Sequence, residues 1–234
     1  MKISVVLPTY NEKGNITPLI KEITKNLKKI TKDYEIVVVD DNSPDNTAKI
    51  CRKEFIKNKR VKVFIRKKDR GFASAILFGL IKAKGKIVFV MDTDFSHDPK
   101  LIPLMASRIN KYNVIIGSRY AKNGGGENKN RYLLSKVYNL YLKNLLGIDI
   151  SDFLFGYFCV EKKFLIKNKL LDNKMFFGFG DYFIRFAYFV NKAGGSFFEI
   201  PAYYKNRTYG VSKSNLLKMI YTYTKTSIKL YLTD

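Results

Sequence analysis

The sequence has no tryptophan, one histidine and two cysteines among 234 residues, and only 20 acidic side chains against 43 basic ones. Each shortage narrows the field. Cys51 and Cys159 are too few and too separated for a disulfide framework, so both read as reduced thiols in or near the core of a cytosolic protein. No charge-free apolar stretch reaches the roughly 18 residues of a spanning helix, so any bilayer contact is expected to be peripheral or to come from sequence beyond this chain. The apolar run after Met1 and Lys2, ISVVLP, is too short for a signal peptide. PTYNEKGN stands where a dinucleotide-dependent oxidoreductase carries Gly-x-Gly-x-x-Gly, which argues against that class. The scarcity of acids leaves a formal charge of +23. Such a charge calls for polyanionic company: nucleic acid, an acidic membrane surface or phosphorylated substrates. Lysines are spread along the chain and no nucleic-acid motif stands out, so a nucleic-acid-binding module is the lesser reading.

The hydrophobic fraction of 46% is ample for one large domain, expected over 1–214, with a tail over 215–234. ISVVLP (3–8), EIVVVDD (35–41), VKVFI (61–65), KIVFVM (86–91) and NVIIGS (113–118) read as buried strands. A first helix fits 17–29, with Thr17 as cap, Pro18 in its first position, and Leu19, Ile23, Leu27 and Ile30 on its apolar stripe. Ser43-Pro44 starts a second with Ala48, Cys51 and Phe55 inward, 72–83 forms a third, and Asp98-Pro99 opens a fourth. This alternation predicts an α/β fold with a mainly parallel sheet flanked by helices. In such sheets the ligand crevice lies beyond the carboxyl ends of the strands. Those ends are Pro8-Thr9, Asp40-Asp41, Arg66, Asp92 and Ser118-Arg119.

The grammar changes after Arg119. A polar loop over 121–130 contains three successive glycines, either a lid or a tolerant surface loop. A helix over 132–146 stops at Gly147, and an aromatic turn and strand follow over 152–160. A glycine-phenylalanine loop over 176–181 leads into a helix to residue 192, a strand lies within 195–204, and 206–214 is a basic loop. The tail over 215–232 is amphipathic, with Leu216, Met219, Ile220, Tyr223, Ser227 and Leu230 near one face and Lys218, Lys225 and Lys229 outside it. Two readings stand for it: a helix closing the core, or one lying in a membrane interface.

The stretch KIVFVMDTDFSHDP (86–99) organises the rest. If the strand stays extended past its end, Asp92 and Asp94 are two apart and point the same way. Paired carboxylates repel unless a cation lies between them, which suggests Mg2+ or Mn2+ shared with substrate phosphates. Solvated loop acids ahead of a helix cap are the alternative. His97 beside them reads as turn packing rather than a ligand, since hard-ion sites favour oxygen.

Seven segments in order resemble the family 2 glycosyltransferases of the GT-A fold, within them the dolichol-phosphate mannosyltransferase-like (polyprenyl-phosphate glycosyltransferase) group. They are VVLPTYNE (5–12), VVDDNSPDNT (38–47), RKKDRGFASA (66–75), MDTDFSHDP (91–99), GSRY (117–120), DFLFGYF (152–158) and EIPAYYKNRTYGVSK (199–213). The resemblance implies transfer of a sugar from a nucleoside diphosphate to a polyprenyl or dolichyl monophosphate, inverting and dependent on a divalent metal. GDP-mannose is the favoured donor and UDP-glucose an alternative. Pro8, Tyr10, Glu12, Asp40, Asp41, Asp92 and Arg119 would bind the donor, and Asp92 and Asp94 its metal ion. Ser96 stands where the family often has a glutamine ligand, and Phe155-Gly156 where it has Ser-Gly; Asp181 is the nearest counterpart of a later family glutamate. The absence of tryptophan rules out the Gln-x-x-Arg-Trp signature of processive relatives that glycosylate hydroxyls.

A phosphate monoester is already mostly anionic at pH 7, so it needs no strong general base, unlike a sugar hydroxyl. It needs cations to hold it beside a second phosphorylated molecule. Arg119, Arg131, Arg207 and Lys213, with Ser118, are the candidates for that clamp, and those four cations with Asp94 make up the expected catalytic set. The expected location is peripheral, on the cytoplasmic face of a membrane.

Overall fold

Four β-branched runs supply the centre of the molecule. The computed structural model describes residues 2–205 and 216–233. Strands β1 (Ile3–Thr9), β2 (Tyr34–Asp40), β3 (Val61–Ile65) and β4 (Ile87–Val90) pair in parallel in the order β3-β2-β1-β4. The sheet continues through β7 (Phe158–Glu161), β5 (Val114–Ser118) and β8 (Phe197–Pro201). Only β7 runs against its neighbours, and β5 and β8 are parallel to each other. Strands β1, β2 and β4 are buried at every position because helices cover both faces, which is why they read as unbroken apolar runs rather than alternating ones.

One face packs against α1 (Ile16–Leu27), α2 (Thr47–Glu54) and α4 (Ile102–Arg108), around Leu7, Ile20, Phe89 and Met105. The other holds α3 (Phe72–Lys82) and α7 (Tyr182–Lys192), around Val6, Ile76, Phe158 and Phe186. Helices α5 (Lys129–Leu146) and α8 (Leu216–Tyr231) pack on each other, and α8 also on α7. The short α6 (Lys162–Lys167) follows β7 directly.

Several boundaries differ from expectation for local reasons. Asn15, not Thr17, occupies the α1 cap position, Thr17 lies inside the helix, and Ile30 beyond its end is exposed. The helix expected from Ser43 begins only at Thr47, because both carboxylate oxygens of Asp40 accept from Ser43 and hold 43–46 as a loop. Asp98 accepts from the Lys100 amide and opens a single 3-10 turn, Pro99–Leu101, ahead of α4. In the glycine run, Gly125–Gly126 forms a strand, β6, paired in parallel with β9 (Tyr203–Tyr204). A side chain at Gly124 would lie 2.6 Å from the Arg119 carbonyl oxygen, so glycine is needed for that close approach. In α8, Tyr223, Ser227 and Leu230 face inward as expected, whereas Leu216 and Ile220 are exposed.

Candidate active site

The acid stretch departs from the extended geometry expected for it. Strand β4 ends at Val90, and residues 93–97 bend. Phe95 adopts φ +66°, a left-handed conformation that costs a bulky residue about 1–2 kcal/mol and that clusters at functional sites. Thr93 and Asp94 turn inward, while the Asp92 side chain keeps 35% exposure. The two carboxylates nevertheless flank one imidazole: Asp92 Oδ2 is 3.8 Å from His97 Nε2, and Asp94 is the strongest charge acting on that ring. His97 is buried and stacked on Tyr157 at 4.9 Å. Its Nδ1 accepts from the Asp92 amide at 2.9 Å, so Nε2 carries the proton and donates to the Phe155 carbonyl at 2.9 Å. Burial holds this histidine neutral, with a pKa down at about 4. With both nitrogens engaged it fixes the turn and is no metal ligand.

The donor set fits a hard cation. Asp92, Asp94 and the Ser96 hydroxyl offer only oxygens, and Ser96 is held close by its amide bond to Asp94 Oδ1 at 3.0 Å. Among the described residues no group of three or more His, Cys, Asp or Glu side chains could hold a metal by itself. Mg2+ and Mn2+ take one or two carboxylates and complete their shell with waters and substrate phosphates.

The loops after β1 and β2 lock into each other. The successive amides of Asn11, Glu12 and Lys13 donate to Ser43 Oγ, Thr47 Oγ1 and Asp45 Oδ2 at 3.0, 2.9 and 3.1 Å. Asn11, Asn42 and Asn46 sit at φ between +55° and +66°, a region asparagine tolerates. Of the expected donor residues, Pro8 lies within β1, Tyr10 is exposed above it, and Glu12 is buried against Asn15 Nδ2 at 2.6 Å. Asp40 is buried, and burial together with the nearby Asp45 and Asp41 charges raises its pKa despite the Ser43 bonds. Asp41 is occupied: Arg66 Nε donates to Oδ1 at 2.7 Å and the Gly71 amide to Oδ2 at 2.7 Å. Arg66 was legible as a strand end, but its pairing with Asp41 was not.

The expected phosphate clamp is only partly assembled. Arg119 lies at the end of β5 and grips buried Asp152 with two parallel bonds of 2.8 Å, Nε to Oδ2 and Nη2 to Oδ1. Burial opposes its charge, but Asp152 outweighs that and makes the guanidinium harder to deprotonate. Arg119 therefore holds the 152–156 turn through Asp152. Ser118 is likewise consumed: its hydroxyl accepts from the Tyr120 and Ala121 amides at 3.2 Å and lies 2.9 Å from Ser151 Oγ. Glu199 fixes Ser151 in turn, at 2.9 Å to both its amide and its hydroxyl.

Arg131 is exposed in the first turn of α5, its amide bonded to Asn128 Oδ1 at 2.9 Å. Its charge acts on Tyr223 of α8, whose phenol is pushed up by burial and by the charges of Asp181 and Asp92. Tyr182, at the start of α7, is also raised by burial and by Asp92. The sequence offered no sign that the Asp92 charge reaches these two tyrosines, which lie 90 and 131 positions further along the chain (182 − 92 and 223 − 92). Asp181 is paired with Arg185 and accepts from Thr226 Oγ1 at 3.1 Å, which ties α7 to α8. Arg207 and Lys213 lie outside the described residues.

Residues 4–168, more than half of the chain and including the acid loop, match the glycosyl transferase family 2. The chain belongs to that family. It is 40% identical over 170 residues to dolichol-phosphate mannosyltransferase of Pyrococcus furiosus, covering 70% of this chain and 47% of the relative. It is 31% identical over 170 residues to the Saccharomyces cerevisiae enzyme of the same name, covering 70% and 62%. It is 28% identical over 220 residues to undecaprenyl-phosphate 4-deoxy-4-formamido-L-arabinose transferase of Proteus mirabilis, covering 94% and 64%. The chain thus spans about half to two thirds of the length of these family members. Glucosyl-3-phosphoglycerate synthase of Mycobacterium tuberculosis, solved with Mn2+, UDP and glucosyl-3-phosphoglycerate, superposes with a TM-score of 0.68 at 17% identity over 99% of this chain and 79% of that one. The fold is GT-A, as the motifs predict.

Proposed function

We propose that the protein transfers a hexose from a nucleoside diphosphate to a polyprenyl or dolichyl monophosphate at a membrane surface, with inversion. Mannose from GDP-mannose is the favoured donor. The observation that carries this reading is the strained acid loop at the carboxyl end of β4, inside a segment matched to family 2, in a chain 40% identical to a dolichol-phosphate mannosyltransferase. UDP-glucose is the second donor to test.

On this reading the interlocked loops after β1 and β2 form the nucleoside wall, with exposed Tyr10 at its rim. Asp92 and Asp94, with Ser96 beside them, hold a divalent ion. When bound, it supplies Lewis-acid stabilisation of the charge that develops on the leaving diphosphate. The acceptor phosphate, with a second pKa near 6, attacks as an anion and requires no carboxylate base. Arg131 is the cation on the acceptor side among the described candidates, and Arg207 and Lys213, outside the described residues, are the other two candidates for the clamp. Arg119 acts indirectly by holding the 152–156 turn against His97.

The membrane belongs to the same reading. No helix among the described residues is long and apolar enough to cross a bilayer. Helices α5 and α8, joined by a 2.9 Å bond between Tyr138 Oη and Thr224 Oγ1, expose Leu133, Val137 and Leu140 together with Leu217 and Tyr221. Lysines interspersed along both helices suit an anionic leaflet, at about 1 kcal/mol each. The sequence suggested this role for the tail alone; α5 joins it only through packing.

The test is a donor panel with the purified protein, Mg2+ or Mn2+ and polyprenyl phosphate, read as sugar label extracted into organic solvent. GDP-mannose is expected to give the highest rate. Label from no donor, alongside salt-sensitive duplex binding, would turn the reading toward a nucleic-acid-binding protein.

A further inference from the structure

The loop 176–181, Phe-Phe-Gly-Phe-Gly-Asp, combines half-exposed rings, Phe177 lying over the Arg185 guanidinium at 3.6 Å, with a fixed backbone. Its Phe177 and Phe179 rings remain 52% and 45% exposed. Its backbone is nevertheless fixed by a buried ion pair, Asp181 with Arg185, whose guanidinium also donates to the Met175 carbonyl at 2.9 Å and to that of Phe177. Gly178 takes φ +74°, and a side chain at Gly180 would collide with the Tyr223 hydroxyl. Burying an ion pair costs desolvation that the contact barely offsets, and leaving rings in water forgoes the gain of burying them. A rigid loop that displays apolar rings is built to touch something.

Its surroundings say what. Phe179 packs 5.4 Å from Phe72, and Phe72 lies 5.8 Å from Tyr182, whose hydroxyl is 3.4 Å from the Gly156 carbonyl, next to the Phe155 carbonyl that holds His97 of the acid loop. On its other side the loop is bonded to α8 through Thr226 and pressed by Tyr223. The loop therefore lies between the turn that holds the acid loop and a helix whose remaining faces expose leucine, isoleucine and tyrosine. A lipid phosphate that reacts beside Asp92 while its tail stays at the bilayer needs an apolar path of this kind.

We propose that Phe72, Phe177 and Phe179 form a subsite for the isoprenoid units adjoining the acceptor phosphate, continuous with the apolar side of α8. This deepens the reading of the acceptor as a polyprenyl phosphate and rests on it. The occupant is the hydrocarbon chain rather than the donor sugar, because the loop that carries the rings is bonded to α8 and the nucleoside wall lies at β1 and β2.

The experiment compares the full chain with a Phe177→Ser, Phe179→Ser double variant, using polyprenyl phosphate as acceptor and calorimetry for nucleotide binding. The expected result is a KM for polyprenyl phosphate raised about tenfold, kcat held within about twofold and nucleotide affinity unchanged, with Phe177→Leu, Phe179→Leu restoring most of the loss. An unchanged acceptor KM overturns the subsite, as does a raised donor KM in its place, which would assign the rings to the sugar. Should the serine variant not fold, photolabelling the wild-type protein with a diazirine-bearing prenyl phosphate decides. Label on 176–181 supports the subsite, and label confined elsewhere overturns it. Lipid-linked sugar made by the wild-type protein keeps the functional reading alive whatever the variants do; none made by any donor removes both.

Discussion

At the scale of single residues, many of the conspicuous charges hold the site's frame. Arg119 and Asp152 show what a sequence leaves open: an arginine at a strand end reads as a phosphate ligand, and in the fold its Nε and Nη2 bond a buried carboxylate. Removing one partner of such a pair strands the other, so Arg119→Ala is expected to cost about 3–5 kcal/mol in urea denaturation. Glu35 makes a similar point at the opposite end of the sheet. Burial pushes its carboxyl up, but bonds from Lys62, Ser4 and the Lys84 amide outweigh it, and its pKa falls below the usual range. A lowered folded pKa means the unfolded chain binds the proton first, so this stabilisation is present above the ordinary glutamate value of about 4.3 and is lost as pH drops through and below it. Glu35→Gln should flatten that acid limb of the stability curve while lowering stability at neutral pH; an acid limb as steep as wild type would contradict it. The acid pair itself was legible because a strand run stops on Asp92. Its bend was not, since nothing in DTDFS announces a left-handed phenylalanine.

At the scale of elements, period and punctuation carried most of the architecture. The strand runs and the helices at 72 and 132–146 sit close to where alternation and Gly147 put them. Boundaries slipped where a side chain captured the backbone, as Asp40 does with Ser43. Pairing of β6 with β9 joins Gly125 to Tyr203, a distance along the chain that two-residue strands cannot advertise. Gly79 shows packing overriding propensity. A Cβ there would strike Val6 Cγ1 on β1, with Val39 Cγ2 at 3.3 Å. Alanine gains about 1 kcal/mol of helix propensity, but overpacking costs about 1–3 kcal/mol. Gly79→Ala should therefore lower the melting temperature, and a rise would show that α3 is not pressed on the sheet as described.

At the scale of the whole molecule, the carboxyl ends of β1, β2 and β4 form one working edge, and α5 with α8 form an apolar flank reached through the 176–181 loop. Charge and apolar surface together predict binding to anionic vesicles that weakens with salt. Leu217→Glu with Tyr221→Glu should reduce cosedimentation severalfold without shifting the melting temperature, because both side chains are exposed. Binding equal to wild type would remove α8 from the membrane contact. The account as a whole turns on sugar transfer at the acid loop. Its most direct test is the rate of lipid-linked sugar formation from GDP-mannose and polyprenyl phosphate with Mg2+, in wild type and in Asp94→Ala folded to the same melting temperature. A fall of at least about a hundredfold in the variant is predicted, the loss of roughly 2.7 kcal/mol of transition-state stabilisation. Turnover within about twofold of wild type would contradict the account.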